Sequence, residues 1–171
     1  YSEVGDACES GLGRLHQLPV TPKSALRDDP VSFQVPGLGR RGLVTDTTSG
    51  TTGTPLRLLL TKEAVRHWYA IYEARIRRWN GVRLSDRWAM FGGQLIVPVE
   101  QRTPPFWVHN WPMHQLYMST NHIARQNVAA MAGELRRFGP RYLIGYPSSV
   151  ALFSRLCLEA DVALPQLEVA I

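Results

Sequence analysis

Residues 45–57 read TDTTSGTTGTPLR, and inside them Thr48, Ser49, Gly50, Thr51, Thr52, Gly53 and Pro55 bring hydroxyls and glycines together in one run. Glycine opens main-chain dihedrals that other residues avoid, so Gly50 and Gly53 allow neighbouring N–H groups to converge. The hydroxyls of Thr48, Ser49, Thr51 and Thr52 add side-chain donors. Converging amides and hydroxyls make a nest that can wrap the oxygens of a polyphosphate. The same composition also suits a flexible loop that only joins two strands.

Two better-known phosphate motifs do not fit. A Walker A loop needs four residues between its glycines and then a lysine, whereas Gly50 and Gly53 are separated by two. GLGRRG, from Gly37 to Gly42, matches G-x-G-x-x-G by letters, but Pro36 precedes it and strand-like LVTD follows. A dinucleotide fingerprint needs a strand before it and a helix after it.

A second constellation is Gly145-Tyr146-Pro147-Ser148. A short buried strand, YLIGY, precedes it and a helix follows, with Ser148 and Ser149 at the helix head as capping candidates. That places a close backbone approach at the end of a strand, where α/β sheets bind ligands. His109, His114 and His122 are spaced too irregularly for a metal site on one element, and no carboxylate sits at ligand spacing from them, so no metal is expected from this segment. His67 is expected to face solvent or pack.

These residues need elements to hold them. Thr21 and Pro22 read as the cap and first residue of a short helix ended by Pro30, and residues 31–41 as a Gly/Pro-punctuated loop. LVTD and LRLLL flank the Ser/Thr/Gly run as strands. Val65, Trp68, Tyr72, Ile76 and Trp79 recur at helical spacing from about Lys62 to Trp79, with Asn80-Gly81 as the stop, and this aromatic stripe reads as core. RWAMF and QLIVPV read as short strands around Gly92-Gly93, the second an edge or a bend because of Pro98. FWVHNWPMHQ reads as an aromatic loop, LYMS as a strand, about 124–138 as a helix ended by Gly139-Pro140, the segment from Pro147 to about Ala160 as a helix, and LEVAI as the start of another strand. Alternating strands and helices argue for an α/β fold with a largely parallel sheet.

At 171 residues with 44% hydrophobic and 19% charged residues, the chain has a single domain's size and buries about two-thirds of its unfolded surface. We read residues 1–42 as lead-in helix and loops and 43–171 as the α/β region. No stretch approaches the roughly 20 apolar residues of a membrane span. Cys8 and Cys157 make a poor disulfide framework, which fits a reducing cytoplasm. The net charge is +5, but the basic residues come as scattered pairs, Arg40-Arg41, Arg77-Arg78 and Arg136-Arg137. Those pairs read as solvated faces, not as a nucleic-acid patch.

In order, T-S-G-T-T-G-x-P from Thr48 to Pro55 resembles the phosphate loop of the adenylate-forming ligases, and the chain is most similar to their phenylacetate–CoA ligase and CapK-like branch. LPVTPKSALRDD resembles that branch's lead-in, TPLRLLL through RWAMFGG its helix and following strand, LYMSTNHI the segment before its acyl pocket, and LIGYPSSVALFSRL its strand-to-helix turn. Many members carry Lys after the loop proline; here Leu56 stands there, and Arg57 follows on what would be the opposite face of a strand.

The resemblance implies the N-terminal portion of such a ligase's large domain. It implies ATP, Mg²⁺ and coenzyme A as cofactors and a small-molecule carboxylic acid, aryl or other, as substrate. Thr48, Ser49, Gly50, Thr51, Thr52, Gly53 and Pro55 would then bind the ATP phosphates, while His122, Gly145, Tyr146, Pro147 and Ser148 would line the substrate site. The family's magnesium-binding Glu, ribose-binding Asp and catalytic Lys have no match in the chain, so the catalytic residues are expected downstream and the segment alone should not turn over. Both ends read as cut. A non-catalytic nucleotide-binding or scaffold homologue is the alternative.

Overall fold

The computed structural model describes residues 19–35, 37, 42–48 and 56–171. The chain divides into two units, Tyr1–Thr61 and Lys62–Ile171. In the first, helix α1 (Lys23–Asp28) precedes a hairpin of β1 (Leu43–Thr47) and β2 (Arg57–Thr61). The strands are antiparallel with Leu43 opposite Thr61 and Thr47 opposite Arg57. Pro22 takes the N-cap position of α1 in place of the expected first helical residue, and no side chain caps it, so Thr21 does not serve that role.

The second unit is mixed α/β. Helix α2 (Lys62–Ile71) runs on as a π-helical turn, Tyr72–Arg77, and a 3-10 turn, Arg78–Asn80. Gly81 then ends it at φ 75°, a left-handed conformation that glycine enters without strain. There follow β3 (Trp88–Gly92), β4 (Trp107–Asn110), β5 (Gln115–Ser119), α3 (Val128–Phe138), β6 (Tyr142–Gly145), α4 (Pro147–Glu159) and β7 (Val169–Ala170). They form one five-stranded sheet in the order β4-β5-β3-β6-β7. All pairings are parallel except β4 with β5.

Strand alternation sends successive side chains to opposite faces, and both faces are covered, as a parallel sheet requires. Ala89, Phe91, Leu116, Met118 and Leu143 pack with Val128, Met131, Leu135 and Phe138 of α3 and with Phe153 and Cys157 of α4. Trp88, Tyr142 and Ile144 face the other way, onto Val82 and half-buried Tyr72. Gly139, at φ 60°, ends α3 by returning its N–H to the Leu135 carbonyl. Arg141 clamps the start of β6 through ion pairs of 2.8 Å each to Asp86 and Glu168.

Several sequence expectations change. The stripe on α2 is not core: Trp68 and Trp79 are exposed, and only Val65, Tyr72 and Ile76 are half-buried. QLIVPV forms no strand; the edge strand comes from the aromatic segment, where Trp107 and His109 are half-buried and Val108 and Asn110 exposed. α3 starts at Val128, four residues past Ala124, because residues 124–127 form a turn first, with the Asn127 N–H donating to the Ala124 carbonyl at 2.9 Å. Arg77 is buried at 4% exposure, so the Arg77-Arg78 pair is not a solvated face. Arg136 and Arg137 are exposed as expected.

Candidate functional site

In the first unit, the Ser/Thr/Gly run joins β1 to β2. Ser49, Gly50, Thr51, Thr52, Gly53 and Pro55 lie outside the described residues, while Thr48 and Leu56 on either side are described. The Thr48 N–H donates to the Leu56 carbonyl at 3.0 Å, and the Leu56 N–H donates to Thr48 Oγ1 at 3.0 Å. The neck is thus pinned one pair beyond the last ladder pair, Thr47 with Arg57. A hydroxyl that accepts still holds a proton to donate, so Thr48 can offer its O–H to an anion while its oxygen is engaged. Arg57, first in β2, is exposed. It shares a cavity of about 630 Å³ with Leu26, Val31, Thr45 and Leu59.

In the second unit, the chain leaves β3 toward one edge to build β4 and β5, and α3 then crosses back to β6 on the other side of β3. The carboxyl ends of strands flanking such a reversal are where open α/β sheets leave a crevice for ligands. Register puts Ser119 beside Gly92 and Gly145 beside Phe91. The structure therefore brings His122, from the turn after β5, and Gly145, Tyr146, Pro147 and Ser148, from the β6–α4 junction, to one rim with β3 between them. Thr120 Oγ1 donates to the Gly92 carbonyl at 3.2 Å, and the Tyr146 N–H donates to the Phe91 carbonyl at 3.1 Å.

Glycine at 145 is a steric requirement, while a side chain at 92 or 93 would have to displace a tyrosine ring. A Cβ on Gly145 would lie 2.8 Å from Val150 Cγ2 and 3.2 Å from the Phe91 carbonyl oxygen. One on Gly92 would lie 2.1 Å from the Tyr117 hydroxyl, and one on Gly93 would lie 3.0 Å from the Tyr146 ring. The Gln94 N–H donates to that Tyr117 hydroxyl at 3.3 Å. Burial holds the Tyr117 phenol above its usual range, with the Gln94 bond acting against this. Gly92, Gly93 and Tyr117 were not singled out from sequence; the Gly-Gly pair ending a strand was the available signal.

Tyr146 occupies the N-cap of α4 and Pro147 its first turn, and no side chain caps the helix, so Ser148 and Ser149 do not act as caps. Tyr146 is exposed at the rim. His122, by contrast, is buried at 5% exposure. Its Nδ1 sits 2.7 Å from Ser119 Oγ, its ring stacks on Phe106 at 4.8 Å, and its Nε2 is buried without a partner. A buried N–H left unpaired is costly, so the tautomer that fits has the proton on Nδ1, donated to Ser119. Asn127 Nδ2 donates to the His122 carbonyl at 3.0 Å, tying this turn to the start of α3.

No carboxylate sits at ligand spacing from the histidines in the sequence, but the fold brings one to His109 over a longer range. His109 Nε2 lies 2.8 Å from Glu134 Oε1, across 25 positions of sequence that helical spacing could not bridge. Among the described residues no group of three His, Cys, Asp or Glu could hold a metal ion, and no helix is long and apolar enough to cross a membrane.

No family model matches the chain. It is similar to Protein CapK of Staphylococcus aureus. The identity is 25% over 160 residues, which are 94% of this chain and 35% of that protein, so the chain spans about a third of its relative's length.

Proposed function

We propose that this chain is the N-terminal part of the large domain of an ATP-dependent ligase that converts a carboxylic acid to an acyl-adenylate and passes it to coenzyme A. The resemblance to the CapK-like branch suggests a place in capsule biosynthesis. The observation that carries the reading is the Thr48–Leu56 neck, which pins both ends of the T-S-G-T-T-G-T-P run. The likeness to CapK over nearly the whole chain supports it.

In this chemistry a substrate carboxylate oxygen bonds to the ATP α-phosphorus as the bond to the bridging oxygen breaks and pyrophosphate leaves. The charge that develops on pyrophosphate needs fixed donors. Thr48, Ser49, Thr51 and Thr52 supply hydroxyls for it, and the main chain around Gly50 and Gly53 supplies amides. Mg²⁺ would neutralise phosphate charge, with its carboxylate ligands drawn from outside this segment. The rim of Gly92, Tyr117, Gly145 and Tyr146 is the reading's place for the acid.

The test uses the longer protein that contains this segment. Acid-dependent exchange of labelled pyrophosphate into ATP is the expected activity. Thr51→Ala with Thr52→Ala should lower it about a hundredfold or more, the scale for losing donors to developing charge, with far-UV circular dichroism unchanged. Exchange that ignores the double substitution, or no exchange with any acid, returns the chain to the scaffold alternative.

A further inference from the structure

At the end of the sheet opposite the rim, β4, the last turns of α3 and the residue before β3 border an open cavity of about 430 Å³ lined by Arg87, His109, Trp111, Glu134, Arg137 and Phe138. We propose that it is a second ligand site, for a small planar organic anion: a carboxylate or phosphate ester on an aromatic ring. The proposal does not rest on the ligase reading.

The charges decide the sign of the ligand. Glu134 is buried, and both its oxygens are engaged inside the protein, Oε1 by His109 Nε2 at 2.8 Å and Oε2 by Arg137 Nη2 at 2.6 Å. His109 Nδ1 is buried without a partner, while its Nε2 donates to the carboxylate. Asp86, next to Arg87 in the chain, is committed as well: it and Glu168 both pair with Arg141. Among the described residues Arg87 has no ion pair, and its guanidinium lies against Gly139, 3.6 Å from where a Cβ would stand. The cavity therefore keeps one uncompensated, forked cation, whose planar donors match a carboxylate or phosphate two-pronged.

The shape decides the rest. His109 and Trp111 stack in parallel, with centroids 4.5 Å apart and planes 5° apart, and Phe138 leans on the His109 ring at 5.5 Å. Trp111 is 68% exposed, so the stack is anchored on the His109 side and open on the other. An open indole face beside a free guanidinium favours a flat ring carrying a negative group. The volume suits one or two rings, within the range of small-molecule pockets and far short of a polymer groove.

Phenyl phosphate is the probe, titrated into the full chain and followed by backbone amide NMR. Saturable shifts are expected at Arg87, His109 and Trp111, with Gly92 and Gly145 unmoved. Phenol, which lacks the charge, and inorganic phosphate, which lacks the ring, should each bind about tenfold more weakly, as should phenyl phosphate to Arg87→Gln, the scale of one charge-assisted contact. Arg87→Lys, which keeps charge without the fork, should fall between and guards against misfolding of the first variant. Shifts confined to the strand rim, inorganic phosphate binding as tightly as phenyl phosphate, or undiminished binding by folded Arg87→Gln would each overturn the proposal.

Discussion

Thr48 and Leu56 hold each other by two hydrogen bonds of 3.0 Å across the neck of the Ser/Thr/Gly run, one backbone to backbone and one from the Leu56 N–H to Thr48 Oγ1. The two bonds separate by substitution. Thr48→Val keeps the shape and the backbone bond but removes the acceptor, so the Leu56 amide should exchange with deuterium about fivefold faster, the effect of losing one neutral hydrogen bond near 1 kcal/mol. Thr48→Ser should restore protection. Equal exchange in all three proteins would show that the hydroxyl does not hold the neck.

Gly92 and Tyr117 should couple. A methyl at position 92 would meet the Tyr117 hydroxyl at 2.1 Å, so Gly92→Ala must push the ring aside and break the Gln94 bond to it. Overpacking of this kind costs about 1–3 kcal/mol. Tyr117→Phe removes the oxygen that clashes, so Gly92→Ala should cost less in that background by at least about 0.5 kcal/mol, read from urea midpoints in a double-mutant cycle. Simple additivity of the two changes would contradict the contact.

How much of this was legible beforehand follows from the range of each interaction. The β1–β2 hairpin, the β3 and β5 strands, the Gly81 and Gly139 helix ends and the β6–α4 junction are set by local pattern, and all are where the sequence puts them. What escaped depends on partners far along the chain. β4 lies in a run of aromatics without clear alternation and becomes a strand by pairing with β5. His109 with Glu134 is a contact across 25 positions. Trp68 and Trp79 obey helical spacing yet stay exposed, because periodicity marks a stripe without saying whether anything covers it. Ser49 to Pro55 of the Ser/Thr/Gly run lie outside the described residues, and what the structure adds is the Thr48–Leu56 neck on either side of them.

Arg77 shows the same limit and carries its own prediction. Its Nε donates to the Tyr142 hydroxyl at 2.8 Å, its guanidinium lies 4.8 Å from the Tyr72 ring and 5.0 Å from the Trp88 ring, and Glu73 stands 3.7 Å away. A buried cation held by two aromatic faces and one hydroxyl acts mainly as packing. Arg77→Met, which fills similar space without charge, should therefore cost less than Arg77→Ala, for which about 3 kcal/mol is the scale of a large side chain deleted from a core. Thermal unfolding of the two variants checks the order, and an equal loss in both would make the charge, not the volume, the stabilising element.

Tyr142 links this cluster to alkaline pH. Burial raises its phenol above the ordinary 10.0, and the Arg77 bond only partly offsets that; burial likewise raises Tyr72 and Tyr117. A raised folded value means that the native state holds the proton more tightly than the unfolded chain does. Unfolding therefore releases protons above about pH 10, and stability falls as pH rises there, while between pH 7 and 9 these groups leave it flat. Urea midpoints measured from pH 8 to 11 should drop beyond pH 10, and Tyr142→Phe should shallow that drop while lowering the plateau, because Arg77 Nε loses its acceptor. A plateau that persists unchanged to pH 11 would mean that the Arg77 bond offsets the burial of the Tyr142 phenol in full, and would overturn the claim that burial wins.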